Sequence, residues 1–500
     1  MQIIYIEGGH MSGHMKDKAL TLIVAFILFV GVINVPCYAL PDGQSSAIQS
    51  FLDEACHKTG IPGMALSVRV GEDVQYFSVG YADREKALRV NEDTLFQLAS
   101  VSKAFTAFGI LLLEERELLS MDDPIQKYLP WFTLQYKGIP VDMNSLTLND
   151  FLHHTSGLTN SKHTGMLTIN ERADALSETV RAYINTNLAF SPGEKFEYGT
   201  MNYSVLGLVI AELSGQSYED FMKTQVLEPL GLHETYMYED EANSTGRLAR
   251  GYVNSFLRVF PIESPRYDGD KPGGYIISCA RDMARWTDIH LGLADDIPDV
   301  YRAVAEKSHN ADTSVMATDG QYYAGGWIVD TEGKYIGHSG DSPNFSSDVR
   351  MYPQEHISII LLTNGNQANN QSITESIKSI IDGGSNQRHA IGIRLILDRI
   401  GVVMTIAGLL FAFLFLLLGL QRWKNRNGNR LSKKRILLIT VWTIITAVIV
   451  TLGMVFPMIA GVSGWRPALE FANIYSTLTG FIALTLASVT IIWFVFARRK

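Results

Sequence analysis

The chain has 500 residues, more than one ordinary domain contains, so two or three structural units are expected. Hydrophobic residues make up 47% and charged residues 19%, with a mean hydropathy of +0.08. This composition excludes a disordered chain and is too apolar for an entirely soluble one. From Asp382 onward the chain has 14 Lys and Arg but 3 Asp and Glu, whereas the whole chain carries −9. An acidic body with a basic, apolar tail is typical of a membrane-anchored ectodomain, and the acidic body argues against a nucleic-acid partner.

The N-terminus has the pattern of a secretory signal. The charged segment Met15–Lys18 precedes an apolar run from Ala19 to Val35, and Cys37-Tyr38-Ala39 presents small residues to a signal peptidase. Residues 1–39 are therefore predicted to be a signal peptide cleaved after Ala39, with residues 1–14 as an upstream extension. The alternative is an uncleaved anchor, although its run of about 17 residues is near the lower limit for spanning a bilayer.

The C-terminus contains three uncharged apolar runs that predict three transmembrane helices, since each approaches the roughly 20 residues that a bilayer core requires. They are Val402–Leu420, Ile436–Ile459 and Tyr475–Phe496. The loop between the first two contains seven basic residues and no acidic one, and the chain ends in Arg498-Arg499-Lys500. The positive-inside rule assigns both to the cytoplasm. The body is then extracytoplasmic, and lipid is a partner of the helices.

Residues 40–381 are predicted to form one body, and residues 382–401 a linker toward the membrane. Strand patterns lie near both ends of the body, and helical patterns lie between them and at its C-terminal end. This order predicts an α+β domain whose sheet is assembled from distant segments. The predicted strands and helices are Met64–Val70, Val74–Gly80, Asp348–Tyr352 and Ile357–Thr363, and Ser102–Leu118 and Asn370–Ile381.

Ser100-Val101-Ser102-Lys103 opens the apolar helix and could carry nucleophilic chemistry. Residues three apart on a helix share a face, so the Ser100 hydroxyl and the Lys103 amine can meet. A serine hydroxyl needs a base, and a lysine serves as one only where burial or a nearby cation lowers its pKa. Taken alone the Ser-x-x-Lys spacing is a weak signal, because such a serine is often a helix cap and such a lysine a solvated side chain.

Two further motifs accompany it: Glu197-Tyr198-Gly199-Thr200, and Gly337-His338-Ser339-Gly340 on a predicted strand followed by Asp341. With Ser100 and Lys103, they resemble the serine β-lactamase and penicillin-binding-protein superfamily, specifically the class C-like serine hydrolases. That group includes D-alanyl-D-alanine carboxypeptidases and esterases. The resemblance implies a β-lactamase/transpeptidase-like fold, in which an antiparallel sheet is flanked by helices beside a helical region.

The resemblance also implies roles for individual residues. Ser100 is expected to be the acylated nucleophile, Lys103 its base, and Tyr198 the proton shuttle to the leaving group. His338-Ser339-Gly340 stands where many members have Lys-Thr-Gly, and this strand is expected to pair with the substrate. The N–H groups of Ser100 and Asp341 would form the oxyanion hole.

Thr200 departs from the family pattern, which usually has Tyr-x-Asn at this point. Asn202 lies two residues further on, but Tyr203 and Leu206-Gly207 fix the register and make Thr200 the aligned residue. A hydroxyl offers one donor where an amide offers two. We therefore expect slow turnover of amides and β-lactams, with acylation of Ser100 preserved.

Other readings are weaker. Gly337-His338-Ser339-Gly340-Asp341 nearly matches the Gly-x-Ser-x-Gly elbow of α/β-hydrolases, but Asp341 breaks it and no alternation of strands and helices surrounds it. No His-Glu-x-x-His pattern, cysteine pair or carboxylate cluster supports a metal, and no cofactor is expected. Of the three cysteines, Cys56 and Cys279 could form a bridge outside the cell, although buried free thiols are favoured.

The sequence thus predicts a membrane-anchored, extracytoplasmic serine hydrolase that acts through a Ser100 acyl-enzyme. The favoured substrate is a D-Ala-D-Ala-type peptide or a related D-peptide, with β-lactams and esters as the other classes. The alternative is a sensor or accessory protein that binds a β-lactam or muropeptide with little turnover and signals through its helices. The oligomeric state is left open by the sequence.

Overall fold

The computed structural model describes residues 40–159, 174–263, 267–318, 320–330, 332–385, 390–424, 433–459 and 475–497. The predicted signal peptide, most of the basic loop and the chain end at residues 498–500 lie outside these ranges.

The strands of the described residues are mostly short, and the longest ones lie at the two ends of the body. They are β1 (Gly63–Val70), β2 (Asp73–Asp83), β3 (Leu88–Arg89), β4 (Phe96–Gln97), β5 (Leu134–Tyr136), β6 (Ile139–Pro140), β7 (Thr186–Asn187), β8 (Tyr252–Ser255), β9 (Arg258–Pro261), β10 (Ile277–Ser278), β11 (Gln321–Tyr323), β12 (Ile328–Asp330), β13 (Ile336–Asp341), β14 (Ser346–Tyr352) and β15 (Ile357–Thr363).

One helix precedes the first strand, and the others lie between the two ends of the sheet or follow its last strand. They are α1 (Asp42–Thr59), α2 (Ser102–Glu115), α3 (Leu148–Leu152), α4 (Ala175–Arg181), α5 (Met201–Ser214), α6 (Tyr218–Met222), α7 (Glu239–Ser244), α8 (Lys271–Gly274), α9 (Ala280–His290), α10 (Asp299–Ser308), α11 (Asn370–Ile381), α12 (Ile393–Lys424), α13 (Lys433–Ile459) and α14 (Tyr475–Ala497).

The main sheet is antiparallel, with eight strands in the order β11-β12-β13-β14-β15-β1-β2-β3. Its centre pairs the two ends of the body, because Met64 in β1 is opposite Thr363 in β15. The predicted strands are confirmed, as is a sheet assembled from distant segments. The sequence could predict this because strand patterns were found near the two ends of the body and helical patterns between them. The strands of the two ends therefore had to pair with each other to form one sheet.

Helices cover both faces of the sheet. Alternate residues of β1 point to opposite faces: Leu66 belongs to an apolar cluster with α1 and α11, whereas Ala65 belongs to the larger cluster that contains α2 and α9. Both faces of β1 are therefore covered, and all of its residues except Arg69 are buried. Helix α2 is buried from Ser102 to Leu113 because it lies inside the larger cluster. It was predicted to reach Leu118 but ends at Glu115, and Glu117 adopts a left-handed conformation with φ of +60°.

The C-terminal segments are helical, but the prediction of three membrane spans is supported for only two. Among the described residues, Ile393–Leu418 and Tyr475–Val495 are long and apolar enough to cross a membrane. The apolar part of α13, Leu437–Gly453, is shorter. Helices α12 and α14 pack closely at small residues: a methyl group added at Gly408 would meet the Ala483 backbone at 2.6 Å.

Helix α12 begins at Ile393, inside the segment that was predicted to be a linker. The chain before it is also held by the body: the Gly392 N–H donates to the Gln367 carbonyl at 2.9 Å, and the Asn369 N–H donates to the Ala390 carbonyl at 2.7 Å. The residues that lead into the first C-terminal helix are therefore attached to the edge of the body by backbone hydrogen bonds.

Candidate active site

Ser100 lies in a single 3₁₀ turn, Ala99–Val101, immediately before α2. Ala99 has φ of +48°, a conformation that residues other than glycine rarely adopt. The neighbouring backbone is held firmly: the Leu98 N–H donates to the Ile276 carbonyl at 2.8 Å, and the Ser347 hydroxyl donates to the Leu98 carbonyl at 2.6 Å. Strain of this kind persists only where the surroundings fix the backbone, and it is common at functional sites.

Lys103 is fully buried in the first turn of α2. Its Nζ lies 3.2 Å from Ser100 Oγ and donates to the Gly273 carbonyl at 2.6 Å. Burial lowers the pKa of Lys103 to about 7, and the negative charge of Asp270 opposes part of that shift. A large fraction of the amine is therefore neutral near pH 7, so Lys103 can accept the proton of the Ser100 hydroxyl.

Tyr198 lies with Ser100 and Lys103 on the part of the site that we call the helix side; the part formed by β13 is the strand side. Its ring centroid lies 4.8 Å from Lys103 Nζ, and its hydroxyl is buried without a hydrogen-bond partner among the described residues. Burial raises the pKa of Tyr198, and the nearby Ser100 hydroxyl opposes that rise. The phenol therefore keeps its proton at neutral pH. A buried, unpartnered hydroxyl beside a nucleophile and its base is suited to passing a proton to a leaving group.

His338 lies on the strand side, on β13, and is buried. Its Nδ1 donates to the Ser339 carbonyl at 2.7 Å, because a carbonyl oxygen can only accept. Its Nε2 must then accept from the Tyr323 hydroxyl, 3.1 Å away. Burial, followed by the charge of Lys103, lowers the pKa of His338 to about 3. His338 is therefore neutral with both nitrogens occupied, so it supplies neither the cation of a Lys-Thr-Gly motif nor a base.

The other strand residues divide between the two faces of β13. Gly340 faces the Ser100 turn, where a methyl group would meet the Leu98 carbonyl oxygen at 2.2 Å, so only glycine fits. The Ser339 side chain lies on the opposite face and donates to Asp348 at 2.5 Å. It therefore points away from Ser100, because alternate side chains of a strand point to opposite faces. Asp341 ends the strand with an exposed carboxylate.

Thr200 lies close to the backbone partner of Lys103. Its methyl group faces Gly273, the residue whose carbonyl binds Lys103: a methyl group added at Gly273 would meet Thr200 Cγ2 at 2.5 Å. Asn202 is buried elsewhere, where it accepts from the Ser156 hydroxyl at 2.6 Å and donates to the Leu158 carbonyl at 3.2 Å. Thr200 therefore lies beside the residue that binds Lys103, whereas the side chain of Asn202 has other partners.

This fold and this site can be compared with known proteins. The profile of the Beta-lactamase family matches residues 46–379, which is most of the chain. The chain belongs to the beta-lactamase family. It is similar to Protein flp of Staphylococcus aureus strain MRSA252, with 26% identity over 465 residues that cover 91% of each chain. It is also similar to Penicillin-binding protein 4* of Bacillus subtilis strain 168, with 29% identity over 67% of this chain and 76% of that protein.

Solved structures support the same fold for this beta-lactamase family member. The octameric penicillin-binding protein homologue from Pyrococcus abyssi aligns with a TM-score of 0.60 and 25% identity, over 71% of this chain and 81% of that one. A class C beta-lactamase aligns with a TM-score of 0.59 and 19% identity, over 70% of this chain and 99% of that one. The predicted superfamily and fold are therefore confirmed.

Three residues around this beta-lactamase-family site were not identified from the sequence. Tyr323, which holds His338, lies on the short strand β11 within no recognisable motif. Arg394 and Asp398 belong to the segment predicted to be a linker. Their only sequence signal is charge at the start of a long apolar run, which usually marks the edge of a membrane helix. Among the described residues, no group of three or more metal-binding side chains is present.

Proposed function

We propose that this beta-lactamase family member is a membrane-anchored, extracytoplasmic serine hydrolase that acts through an acyl-enzyme on Ser100. Membership of the family supports acyl-enzyme chemistry in general. The single observation that carries the proposal for this chain is Lys103, fully buried with a pKa of about 7 and with its Nζ 3.2 Å from Ser100 Oγ.

In the first half of the reaction, neutral Lys103 takes the Ser100 proton while Oγ forms a bond to the substrate carbonyl carbon. The N–H groups of Ser100 and Asp341 are proposed to stabilise the resulting oxyanion. The intermediate collapses as the bond to the leaving group breaks, and Tyr198 gives that group its proton. Tyr198 regains a proton from protonated Lys103, so the products are an acyl-serine and a neutral leaving group. Water then attacks the acyl-serine in place of the leaving group, and the same proton transfers run in reverse. The acid is released and Ser100 is restored.

The proposed substrates are D-Ala-D-Ala-type peptides, related D-peptides, β-lactams and esters. Two features of the site favour esters within this range. His338 is neutral where many members have a cation, and Thr200 offers a hydroxyl where many have an amide. An alkoxide whose parent alcohol has a low pKa leaves with less assistance than an amine, which must be protonated as it leaves. A site with fewer donors near the leaving group therefore limits esters less than amides.

The extracytoplasmic orientation is supported by charge and by the C-terminal helices. In the described part of the chain, two helices are long and apolar enough to span a bilayer, and the basic segment between Leu420 and Ile436 favours the cytoplasmic side. Lipid around these helices is the proposed membrane partner. A second candidate function, a low-turnover sensor of β-lactams or muropeptides, is favoured by one observation: Arg394 of α12 contacts Asp341 beside the site.

One labelling experiment tests both the nucleophile and the orientation. Intact cells that express the full chain are treated with a membrane-impermeant fluorophosphonate, and the adduct is mapped by peptide mass spectrometry. We expect a single adduct on Ser100 without cell lysis, and none in the Ser100→Ala variant. An adduct on Ser339 or Ser156 would contradict the assignment, and labelling only after lysis would contradict the orientation.

The enzyme and the sensor are separated by a chase. The purified full chain is acylated with a penicillin and with an activated ester, excess reagent is removed, and intact mass is followed over time. A hydrolase loses the ester-derived acyl group during the chase and becomes acylated again when fresh ester is added. A sensor stops at one acyl group per chain with both reagents, and that outcome would favour the second candidate.

A further inference from the structure

The first turn of α12 reaches the strand side of the site. Both nitrogens at the tip of the Arg394 guanidinium donate to the Asp341 carboxylate, at 2.7 and 2.6 Å. The two residues lie 53 positions apart in sequence, and Arg394 lies beyond the residues that match the family profile. A planar guanidinium that meets a carboxylate through two parallel hydrogen bonds fixes both distance and orientation, which a lysine ammonium cannot do.

The start of α12 is itself held in place, so Arg394 acts from a fixed point. Asp398, one turn further on, is buried, and its carboxylate accepts hydrogen bonds from the Asn254 amide at 2.9 Å and from the Phe256 and Leu257 N–H groups, each at 2.8 Å. Phe256 and Leu257 form the turn of the β8–β9 hairpin, and both have positive φ. The carboxylate therefore satisfies the N–H groups of a turn that belongs to the body.

The contact of Arg394 with Asp341 adds little stability, because the Asp341 side chain is 55% exposed and solvent screens exposed ion pairs. The contact matters because it fixes the position of Asp341. Asp341 directly follows Gly340, which abuts the Leu98 carbonyl at the Ser100 turn. A movement of the Asp341 backbone would therefore change the gap between the end of β13 and the Ser100 turn.

We propose that Arg394 is a positioning residue for the active site: by holding Asp341, it sets the place of the Asp341 N–H relative to Ser100, so that the membrane helix α12 completes the oxyanion hole. This inference rests on the proposed function, since it needs Ser100 to be acylated. A displaced oxyanion donor weakens binding of the transition state more than binding of the substrate. The loss should therefore appear in the acylation rate constant and not in the affinity for the substrate.

The experiment compares full-length variants in detergent or membranes. Arg394→Gln removes the guanidinium, Arg394→Lys keeps the charge but loses the paired hydrogen bonds, and Arg399→Gln is the control, an exposed arginine on the same helix. Time-resolved acylation by a neutral ester and by a carboxylate-bearing β-lactam gives the rate constant and the dissociation constant for each. Thermal unfolding verifies that each variant is folded.

For Arg394→Gln we expect an acylation rate constant about tenfold lower with both reagents, since small displacements of a catalytic group have effects of this size or larger. Arg394→Lys should recover only part of the loss. Dissociation constants, and the pH at which acylation is half-maximal, should match the wild type. Asp341→Asn combined with Arg394→Gln should be no slower than the slower single variant, because the two residues act as one unit.

Two results would overturn the inference. One is an acylation rate for Arg394→Gln equal to that of Arg399→Gln. The other is a weaker dissociation constant for the β-lactam alone, which would make Arg394 a binding residue for the substrate carboxylate. Failure of the proposed function looks different: the wild-type chain would then acquire no adduct on Ser100 in the same assay.

Discussion

The helix side and the strand side of the site are built by different means. On the helix side, Lys103 is fully buried and Tyr198 has a buried hydroxyl, and their pKa values are shifted mainly by loss of solvent. On the strand side, His338 is neutral and fixed by Tyr323, and Asp341 is exposed and held by an ion pair from another part of the chain. Burial determines the pKa values on the helix side, whereas an ion pair with Arg394 determines the position of Asp341 on the strand side.

The family match covers both sides of the site but not the residue that holds Asp341. The helix-side residues, His338 and Asp341 all lie within residues 46–379, whereas Arg394 lies outside them. Chemistry that depends on burial can be maintained by the core of the domain alone. Geometry at an exposed strand end needs an external support, which here is the first C-terminal helix. Changes on the helix side should therefore be severe, and changes on the strand side graded.

The largest effect is expected for Lys103→Met, which keeps the length and apolar packing of the side chain but removes the base. Loss of a positioned general base typically costs 10² to 10⁴ in rate, so acylation of Ser100 by an ester should fall by about a thousandfold. Stopped-flow measurement of acylation checks this. The control is Lys223→Met, an exposed lysine paired with Glu241. A fall of less than tenfold, with the fold intact, would mean that another group is the base.

The second largest effect on the acylation rate is expected from a change of pH. Lys103 accepts a proton only when it is neutral, and its pKa is lowered to about 7. The acylation rate should therefore rise as pH increases from about 5 to 8, with half of the maximum near pH 7, and fall about tenfold per pH unit well below it. His338, with a pKa of about 3, should add no inflection in this range. A rate independent of pH between 5 and 8 would be incompatible with Lys103 as base.

The smallest effect is expected at Thr200, whose methyl group faces Gly273. Thr200→Asn supplies the amide that the family pattern usually has, and should raise the ratio of amide to ester turnover about tenfold or more. One well-placed donor typically lowers a barrier by a few kcal/mol, and about 1.4 kcal/mol is already tenfold. The measurement is kcat/KM for an amide and an ester of the same acyl group. Thr200→Ser is the control, because it keeps a hydroxyl and adds no amide. An unchanged ratio in a folded variant would show that Thr200 is a neutral replacement.

Residues whose role depends on local pattern could be predicted from the sequence. The β1–β2 hairpin, strands β14 and β15 and helix α11 follow from apolar periodicity and turn residues, and Ser100 and Lys103 are one helical turn apart. The motif also predicted a place for Ser339, but not that its side chain would turn away to Asp348. The direction of a strand side chain depends on register, which the motif alone does not contain.

Residues whose role depends on a distant partner could not be predicted. Arg394 is 53 positions from Asp341, and Asp398 is 142 positions from Phe256. A charged residue ahead of an apolar run looks the same in sequence whether it faces water, lipid headgroups or another part of the protein. The third membrane span was predicted from the length of an apolar run, whereas the residues that the structure describes contain two helices long and apolar enough to span a bilayer.

The pairing of β1 with β15 has a consequence for how the protein is made. Residues 63–70 emerge early in synthesis, but their partners, residues 357–363, emerge near the end of the body. Until then the β1–β2 hairpin has an open edge, and its face that packs with α1 still lacks α11. Long-range pairing of this kind makes folding slow. Helix α11 is the one described helix between the last strand of the sheet and α12, so the body completes its core shortly before its first C-terminal helix becomes available.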